Sequence, residues 1–560
     1  MLTKSDVMSY LQCPRKLWLE HHLPGADSLK DSSQERRARD GHLVGEQARQ
    51  ALGAGTIWPM GSQNKEEAAR NALEQLLNRP DKAFVEMPML AQGLYVRADA
   101  LIPHEDGGYT LQETKSSTFP LKKDKITPDK APEHYLDDLT LQAWVMEQAG
   151  IPMPRAELNL LNSKWRYNGE DYKGLFRPMD LTAEVEERKQ QVPMWLKDAS
   201  RTLRGGLPDV CTGAHCSKPN GCQFLQQCKE LEPPAQEHPI ELLPDSAGKS
   251  LAKKLRLEQG YVSLLEPAAE ELVGANAALY RRIQEAHKTG NAILEPGTDK
   301  IMSSLKYPRY YFDFEGIDLP VPRWEGIRPY EQIPFQWSCH IERAPGVFEH
   351  RAFLDLTGND PSIACIEKMR EVIDPDDQGP ILVFFKTYEK GRLEGFAERH
   401  PQYTGLMENY ISRLVDLHPL VKNYFYDPRM KGSFSIKKVL PVIAPDLDYS
   451  ELEGVQEGTG AQIAYLNYCF EPGLASDVRA ELKKNMLSYC EQDTWAMVEI
   501  GYFLERLERP GPNRPAPDTV ADWSPTPEQL LEIQARADAY AAEKAAEEAA
   551  NALACAPVLA

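Results

Sequence analysis

Two acidic clusters stand far apart in this chain of 560 residues. Asp313-Phe314-Glu315 closes an apolar run that begins Tyr310-Tyr311-Phe312, and Tyr489-Cys490-Glu491-Gln492-Asp493 sits among Met486, Leu487, Met497 and Val498 at helical spacing. On a strand Asp313 and Glu315 share one face, and on a helix Tyr489 and Asp493 lie one turn apart. Acids gathered in this way suit hard divalent cations such as Mg²⁺ or Mn²⁺, which take oxygen ligands. Two such ions can clamp the attacking and leaving oxygens of a phosphodiester. Among the acids between the clusters, two could add a further carboxylate. Glu389, in Phe385-Lys386-Thr387-Tyr388-Glu389, follows the apolar strand Ile381–Phe385 and is preferred; Asp416, in Arg413-Leu414-Val415-Asp416-Leu417, is its rival. Asp-x-Glu alone recurs by chance in an acidic protein; the Tyr-x-x-x-Asp partner lifts it.

A second constellation lies in the N-terminal half. Tyr95 to Ile102 reads as a strand, His104-Glu105-Asp106-Gly107-Gly108 as a turn, and Tyr109 to Lys115 as the returning strand. Glu113 and Lys115 are two apart and point to one face, which Asp99 reaches from the other arm. Two carboxylates bind Mg²⁺ or Mn²⁺, and the lysine stabilises hydroxide or developing phosphorane charge. Cys13, in Gln12-Cys13-Pro14, is followed much later by Cys216, Cys222 and Cys228, with five residues between each consecutive pair. Structural zinc modules use closer pairs, and three spaced thiolates plus a remote one suit an iron–sulfur cluster. Cys211 and His215 are nearby spares, and zinc through His215 is the rival reading.

These residues carry two family resemblances. The Asp99…Glu113-x-Lys115 hairpin resembles the core of PD-(D/E)-x-K nucleases, and the wider stretch looks like their RecB-type members. That resemblance implies a first motif in Gly41-His42-Leu43-Val44-Gly45-Glu46, with Glu46 facing the metal where many relatives have His. It makes Glu86 a further candidate and Gln142 a supporting residue. It also implies a 4Fe–4S cluster on Cys13, Cys216, Cys222 and Cys228 that staples the start of the domain to its end. The later region resembles the DnaQ-like 3′-to-5′ exonucleases. There Asp313, Glu315, Glu389 and Asp493 are implied metal ligands, and Tyr489 orients the attacking water. The family's usual Asn before the middle acid is missing. Ser433, Ser435 and Lys437, at a helix start, are candidates to hold a phosphate of the nucleic acid.

The expected architecture is therefore multidomain α/β. A restriction-endonuclease-like core with its cysteine cluster spans residues 1–235, a helical connector 236–304, an RNase H-like mixed-sheet domain 305–508, and a linker with an acidic Ala-rich helical tail 509–560. Within the connector a helix, a turn at Gly260 and a second apolar helix from Tyr261 to Leu265 are anticipated. The whole order resembles a bacterial family that fuses the two nuclease modules. Its implied activity is metal-dependent cleavage of DNA, single-stranded or with free ends, with RNA or a catalytically degenerate binding scaffold as alternatives. A helicase or other repair or defence protein is the implied partner.

The formal charge of −20 opposes a non-specific nucleic-acid coat but not a nuclease with a local basic groove. No Walker-type glycine loop, helicase pattern or internal repeat occurs, so a motor is not encoded here. The start lacks an apolar signal region and no run is long enough to span a membrane, so a cytoplasmic setting is expected.

Overall fold

β-Strands, some alternating buried and open positions and others buried on both faces, pack under helices in both halves of the molecule. A computed structural model describes residues 1–23, 25, 32–59, 62, 64–123, 128–233, 236–447, 458–511, 514–515, 517–521 and isolated positions between 528 and 543. The chain divides into two units, Met1–Pro234 with Asp318–Glu331, and Ala235–Ile317 with Gln332–Ala560. The class is mixed α/β, as expected.

Along the first unit run β1 (Leu2–Thr3), α1 (Lys4–Gln12), α2 (Pro14–His22), α3 (Ser32–Ala51), α4 (Lys65–Asn78), β2 (Phe84–Ala91), β3 (Leu94–Pro103), β4 (Tyr109–Thr118), α5 (Glu133–Gln148), β5 (Arg155–Leu161), β6 (Phe176–Asp180), α6 (Thr182–Arg188), α7 (Val192–Arg204) and α8 (Leu225–Glu230). One mixed sheet orders these strands β1-β3-β4-β5-β6, with β2 also on β3. β3 pairs antiparallel with β2 and β4, while β4 and β5 are parallel. Leu94, Val96 and Ala98 of β3 enter a core shared with Leu139, Ala143 and Val145 of α5, which leaves Asp99 on the opposite side of β3. The expected hairpin is present, with β3 and β4 slightly longer than read from sequence. Residues 318–331 belong to this unit: Val321 and Tyr330 pack on Val44, Leu161 and Leu175, and the Tyr330 hydroxyl donates to the Ser116 carbonyl.

The second unit contains α9 (Asp245–Gln259), α10 (Ala277–Thr289), β7 (Ile293–Leu294), α11 (Thr298–Ser303), β8 (Arg309–Asp318), β9 (Gln332–Ala344), β10 (Val347–Leu354), α12 (Ser362–Val372), β11 (Ile381–Val383), α13 (Thr387–Arg399), α14 (Thr404–Arg413), β12 (Leu414–Asp416), α15 (Leu417–Tyr424), β13 (Phe425–Tyr426), α16 (Ile436–Ile443), α17 (Gly458–Phe470), α18 (Ser476–Glu505) and β14 (Pro517–Ala521). Its main sheet is ordered β12-β11-β8-β9-β10-β14. β12, β11 and β8 are mutually parallel, and β9 and β10 form an antiparallel pair. Tyr310, Phe312 and Phe314 of β8 pack on one side against Ala364, Met369, Phe396 and Met407 of α12–α14. Tyr311 points the other way, towards Gly501 of α18, and period two carries Asp313 and Glu315 to the same side.

Residues 236–304 group with this unit rather than forming a separate connector. β7 pairs antiparallel with β13, and Arg282 donates to the carbonyls of Lys422 (3.0 Å) and Asn423. Gly260 ends α9 at φ +75°, as the glycine suggested, but the next helix begins only at Ala277. The carboxylate of Glu266 accepts from the Val262 and Ser263 amides (2.7 and 2.6 Å), diverting that backbone from a helix. The expected linker contains β14, which pairs with β10. The Ala-rich tail lies largely outside the described residues. Among the described residues, no helix is long and apolar enough to cross a membrane.

Candidate functional site

In the first unit, the antiparallel register that pairs Ala100 with Gln112 sets Asp99 opposite Glu113. Both line a cleft of about 380 Å³ together with Gly41, His42, Gly45 and Arg49 of α3, Glu86, Lys115 and Ser116. The buried Glu113 is tied on both oxygens. Oε1 accepts from Lys115 Nζ at 2.6 Å and Oε2 from Gln142 Nε2 at 2.7 Å. Asp138 of α5 completes the arrangement, accepting from Lys115 at 2.5 Å, from Lys4 at 2.7 Å and from Gln142 at 3.0 Å. Burial and the neighbouring Glu113 push the Asp99 carboxyl up to about 7, although it accepts from the Thr114 amide at 2.9 Å. Burial alone would raise Asp138 too, but Lys115 and Lys4 hold it well below the usual carboxylate range. Burial likewise opposes the charge on Lys115, and Asp138 and Glu113 overcome it, so the lysine stays cationic.

The structure brings Asp99, Glu113, Lys115 and Gln142 together and leaves Glu46 out. Glu46 is exposed, outside the cleft wall, and accepts from Gln50 one turn on at 3.4 Å. The helix face made by Gly41, His42, Gly45 and Arg49 puts His42 at the cleft instead. Glu86 does line the cleft, at φ +51°, but Arg49 (3.1 Å) and Arg97 (2.6 Å) hold its carboxylate. Sequence reading missed Lys4 and Asp138. Asp138 stands one helical turn before Gln142, and that spacing was the available signal.

The second unit builds its site from elements remote in sequence. Asp313 and Glu315 leave β8, Glu389 sits in the first turn of α13, and Tyr489 and Asp493 share one face of α18. These five residues line a cleft of about 370 Å³ with Tyr388, Gln462 and Gly458. Carboxylate oxygens of Asp313, Glu315 and Asp493 lie within 4.8 Å of one another. Glu389 is 2% exposed, and its Oε2 has no hydrogen-bond partner among the described residues. Burial, then Asp493, Glu315 and Glu389, hold the Asp313 carboxyl far above the usual range. Burial and Asp493 push Glu315 up to about 8, with Lys437 opposing; burial, with Asp416 adding to it, takes Glu389 to about 8. A set of buried acids that resist joint ionisation has the donor chemistry to hold a cation.

Glu389 joins the cluster, and its rival does not. Asp416 caps α15, accepting from the amides of Phe385 (3.0 Å), Lys386 (2.9 Å) and His418 (3.0 Å). Lys437, on the first turn of α16, reaches back so that its Nζ lies 5.1 Å from the Tyr489 ring centre. Ser433 and Ser435 form the turn before α16 and do not line the cleft. Gly432 fixes that turn: it adopts φ +74°, and a Cβ there would meet the Leu242 carbonyl at 2.3 Å. Tyr388 and Gln462, the latter donating to the Gly316 carbonyl at 2.9 Å, were not foreseen.

Cys13, Cys216 and Cys228 are buried and Cys222 is half-buried, whereas Cys211 is exposed. Burial raises the Cys222 thiol, with Cys216 and Cys228 adding to the effect. Burial raises Cys228 too, with Arg15 opposing and Cys13 and Cys216 adding. Each of the four therefore lies within electrostatic reach of at least one other. Among the described residues, the groups whose ligand atoms crowd within 4.8 Å do not include these cysteines. A multi-iron cluster spreads its thiolates around several metal atoms rather than one, so this spacing does not conflict with the expectation.

A family description, "Domain of unknown function (DUF2779)", matches residues 310–435, the stretch that carries Asp313, Glu315 and Glu389. Uncharacterized protein MG366 of Mycoplasma genitalium is 27% identical over 225 residues, covering 37% of this chain and 33% of the relative. Uncharacterized protein UU173 of Ureaplasma parvum is 27% identical over 228 residues, with 37% and 32% covered, and the MG366 homolog of Mycoplasma pneumoniae is 28% identical over 226, with 37% and 33%. The chain thus spans about a third of the length of these curated relatives. No solved structure matches.

Proposed function

We propose that the chain is a metal-dependent nuclease with two active centres acting on DNA, one RecB-like and one DnaQ-like. The observation that carries this reading is the convergence of Asp313, Glu315, Asp493 and Glu389, whose Oε2 has no hydrogen-bond partner among the described residues; the other three acids all raise the Asp313 carboxyl. A mixed sheet whose central strand bears the first acid pair supports an RNase H-like domain. The hairpin carrying Asp99, Glu113 and Lys115 supports a restriction-endonuclease-like one.

In the second unit Asp313, Glu315, Glu389 and Asp493 would hold Mg²⁺ or Mn²⁺, and such ions supply charge neutralisation and a more acidic water. The hydroxyl of Tyr489 positions the attacking water for 3′-to-5′ removal of nucleotides, and Lys437 offers its charge to a phosphate oxygen beside it. In the first unit Asp99 and Glu113 are the metal-holding pair. Lys115, kept protonated by Asp138, stabilises charge that develops on the phosphorus oxygens. Gln142 and Lys4 fix the orientations of Glu113 and Asp138. Cys13, Cys216, Cys222 and Cys228 are proposed to hold a structural 4Fe–4S cluster. Anaerobic purification should give brown protein with roughly four iron atoms per chain, and colourless protein containing zinc would refute that assignment.

The test of function is degradation of matched single-stranded DNA and RNA, with and without Mn²⁺, by wild type, Asp99→Ala and Asp313→Ala. DNA degradation lost in both variants supports two centres. Activity confined to RNA and untouched by Asp99→Ala makes the first unit a binding platform. Binding without metal-dependent cleavage makes the chain a scaffold.

A further inference from the structure

On the face of α18 turned away from Asp493, a second cluster has a different donor set. His340 of β9 and His350 of β10 are directly paired across the strands, with rings stacked 4.2 Å apart. Glu491 stands two residues before Asp493, about 200° round the helix at 3.6 residues per turn. One ligand atom from each of His340, His350 and Glu491 falls within 4.8 Å of the others.

One arrangement of the protons satisfies every hydrogen bond of this cluster. The Thr494 hydroxyl can donate to the Glu491 carbonyl (3.0 Å), and it then accepts from Ser338 Oγ (2.8 Å) and from His340 Nδ1 (2.9 Å). With its proton on Thr494, the Ser338 hydroxyl accepts from His350 Nε2 at 2.9 Å. Every proton in that chain is used, and each imidazole keeps a bare lone pair, on Nε2 of His340 and Nδ1 of His350. Neither of those nitrogens has a partner among the described residues, although the two residues are 0% and 2% exposed. A buried acceptor left without a donor is costly, and a ring oriented by a bond to its other nitrogen is the usual state of a ligating histidine.

We propose that His340, His350 and Glu491 form a separate cation site of another chemical class, taking a Zn²⁺-type ion through two imidazole nitrogens and one carboxylate oxygen. Nitrogen donors select Zn²⁺, Co²⁺ or Ni²⁺ over Mg²⁺, which prefers oxygen alone. Burial, His350 and Arg514 depress the basicity of His340, and burial, Arg514 and Arg351 bring His350 down to about 4, so both rings are neutral donors. Arg514 Nη1 lies 3.9 Å from Glu491 and competes for its carboxylate. An ion here would pin α18 to β9 and β10 and so fix the height of Tyr489 and Asp493 on the other face.

The probe is Co²⁺, a visible-absorbing substitute for Zn²⁺, titrated into the chelator-stripped full chain. Wild type is expected to bind one more equivalent, with ligand-field absorption, than Glu491→Gln or His350→Gln, or to bind it at least about tenfold more tightly than either variant. Asp313→Asn retains that absorption, which separates this site from the acid cleft. Arg514→Gln removes the competing cation and should tighten binding. If His350→Gln does not fold, the partly exposed Glu491→Gln decides alone. Equal stoichiometry and affinity in wild type and Glu491→Gln would overturn the proposal, as would unchanged or weaker binding in Arg514→Gln.

Discussion

Replacing Glu389 by glutamine tests whether the second cleft is a cation site built at the expense of stability. Glu315 and Glu389 rise from an ordinary 4.5 to about 8 because they are buried among like charges. A folded-state pKa above the unfolded one means the native protein binds more protons, so stability is present below about pH 4.5 and lost as pH climbs towards 8. At about 1.4 kcal/mol per pKa unit, one such group costs the metal-free fold on the order of 5 kcal/mol at pH 8. Glu389 is itself one of the charges that raise Glu315, so their costs do not simply add. Glu389→Gln removes one charge while keeping the shape, and it should recover roughly 2 kcal/mol of that penalty at alkaline pH. At pH 5 the difference should nearly vanish. The assay is thermal unfolding of chelator-treated wild type and variant at pH 5 and pH 8, repeated with Mn²⁺. Wild type should gain from Mn²⁺ at pH 8 and the variant far less. Equal melting temperatures for the two proteins at both pH values, with equal gains from Mn²⁺, would refute the reasoning.

Other substitutions separate chemistry from scaffolding. Lys4→Met leaves Asp138 and Glu113 with one cation in place of two and should cost about 3 kcal/mol in denaturant unfolding, the scale of a broken buried ion pair. Asp416→Ala removes the cap on three amides and should cost about 1–2 kcal/mol while changing Mn²⁺ affinity at the acid cleft far less than Asp493→Asn does. Phe314→Ala opens the core under β8 and should cost about 3–5 kcal/mol by the same measurement.

The site residues that could be read from sequence were those whose partners are local. Glu113 and Lys115 declare themselves by alternation on one strand, and Tyr489 and Asp493 by one helical turn. Glu389 could be preferred over Asp416 because it follows an apolar strand, and the amide cap explains what Asp416 does instead. Asp138 carried one local signal, its one-turn spacing from Gln142, whereas Lys4 was invisible because its meeting with Asp138 depends on α1 and α5 packing together, which no short-range pattern encodes. Glu46 failed for the opposite reason: a motif in register gave the right helix, but which of its residues faces the cleft depends on the helix's rotation. His340 and His350 stand ten residues apart in the chain, and only the register of β9 with β10 pairs them.

The proposed chemistry requires acids from β8, α13 and α18 to hold divalent ions together. Calorimetric titration of Mn²⁺ into chelator-stripped wild type and Asp493→Asn addresses that directly. Saturable binding in wild type that is lost or weakened at least tenfold in the variant is the expected result. Identical binding curves for the two proteins would contradict it.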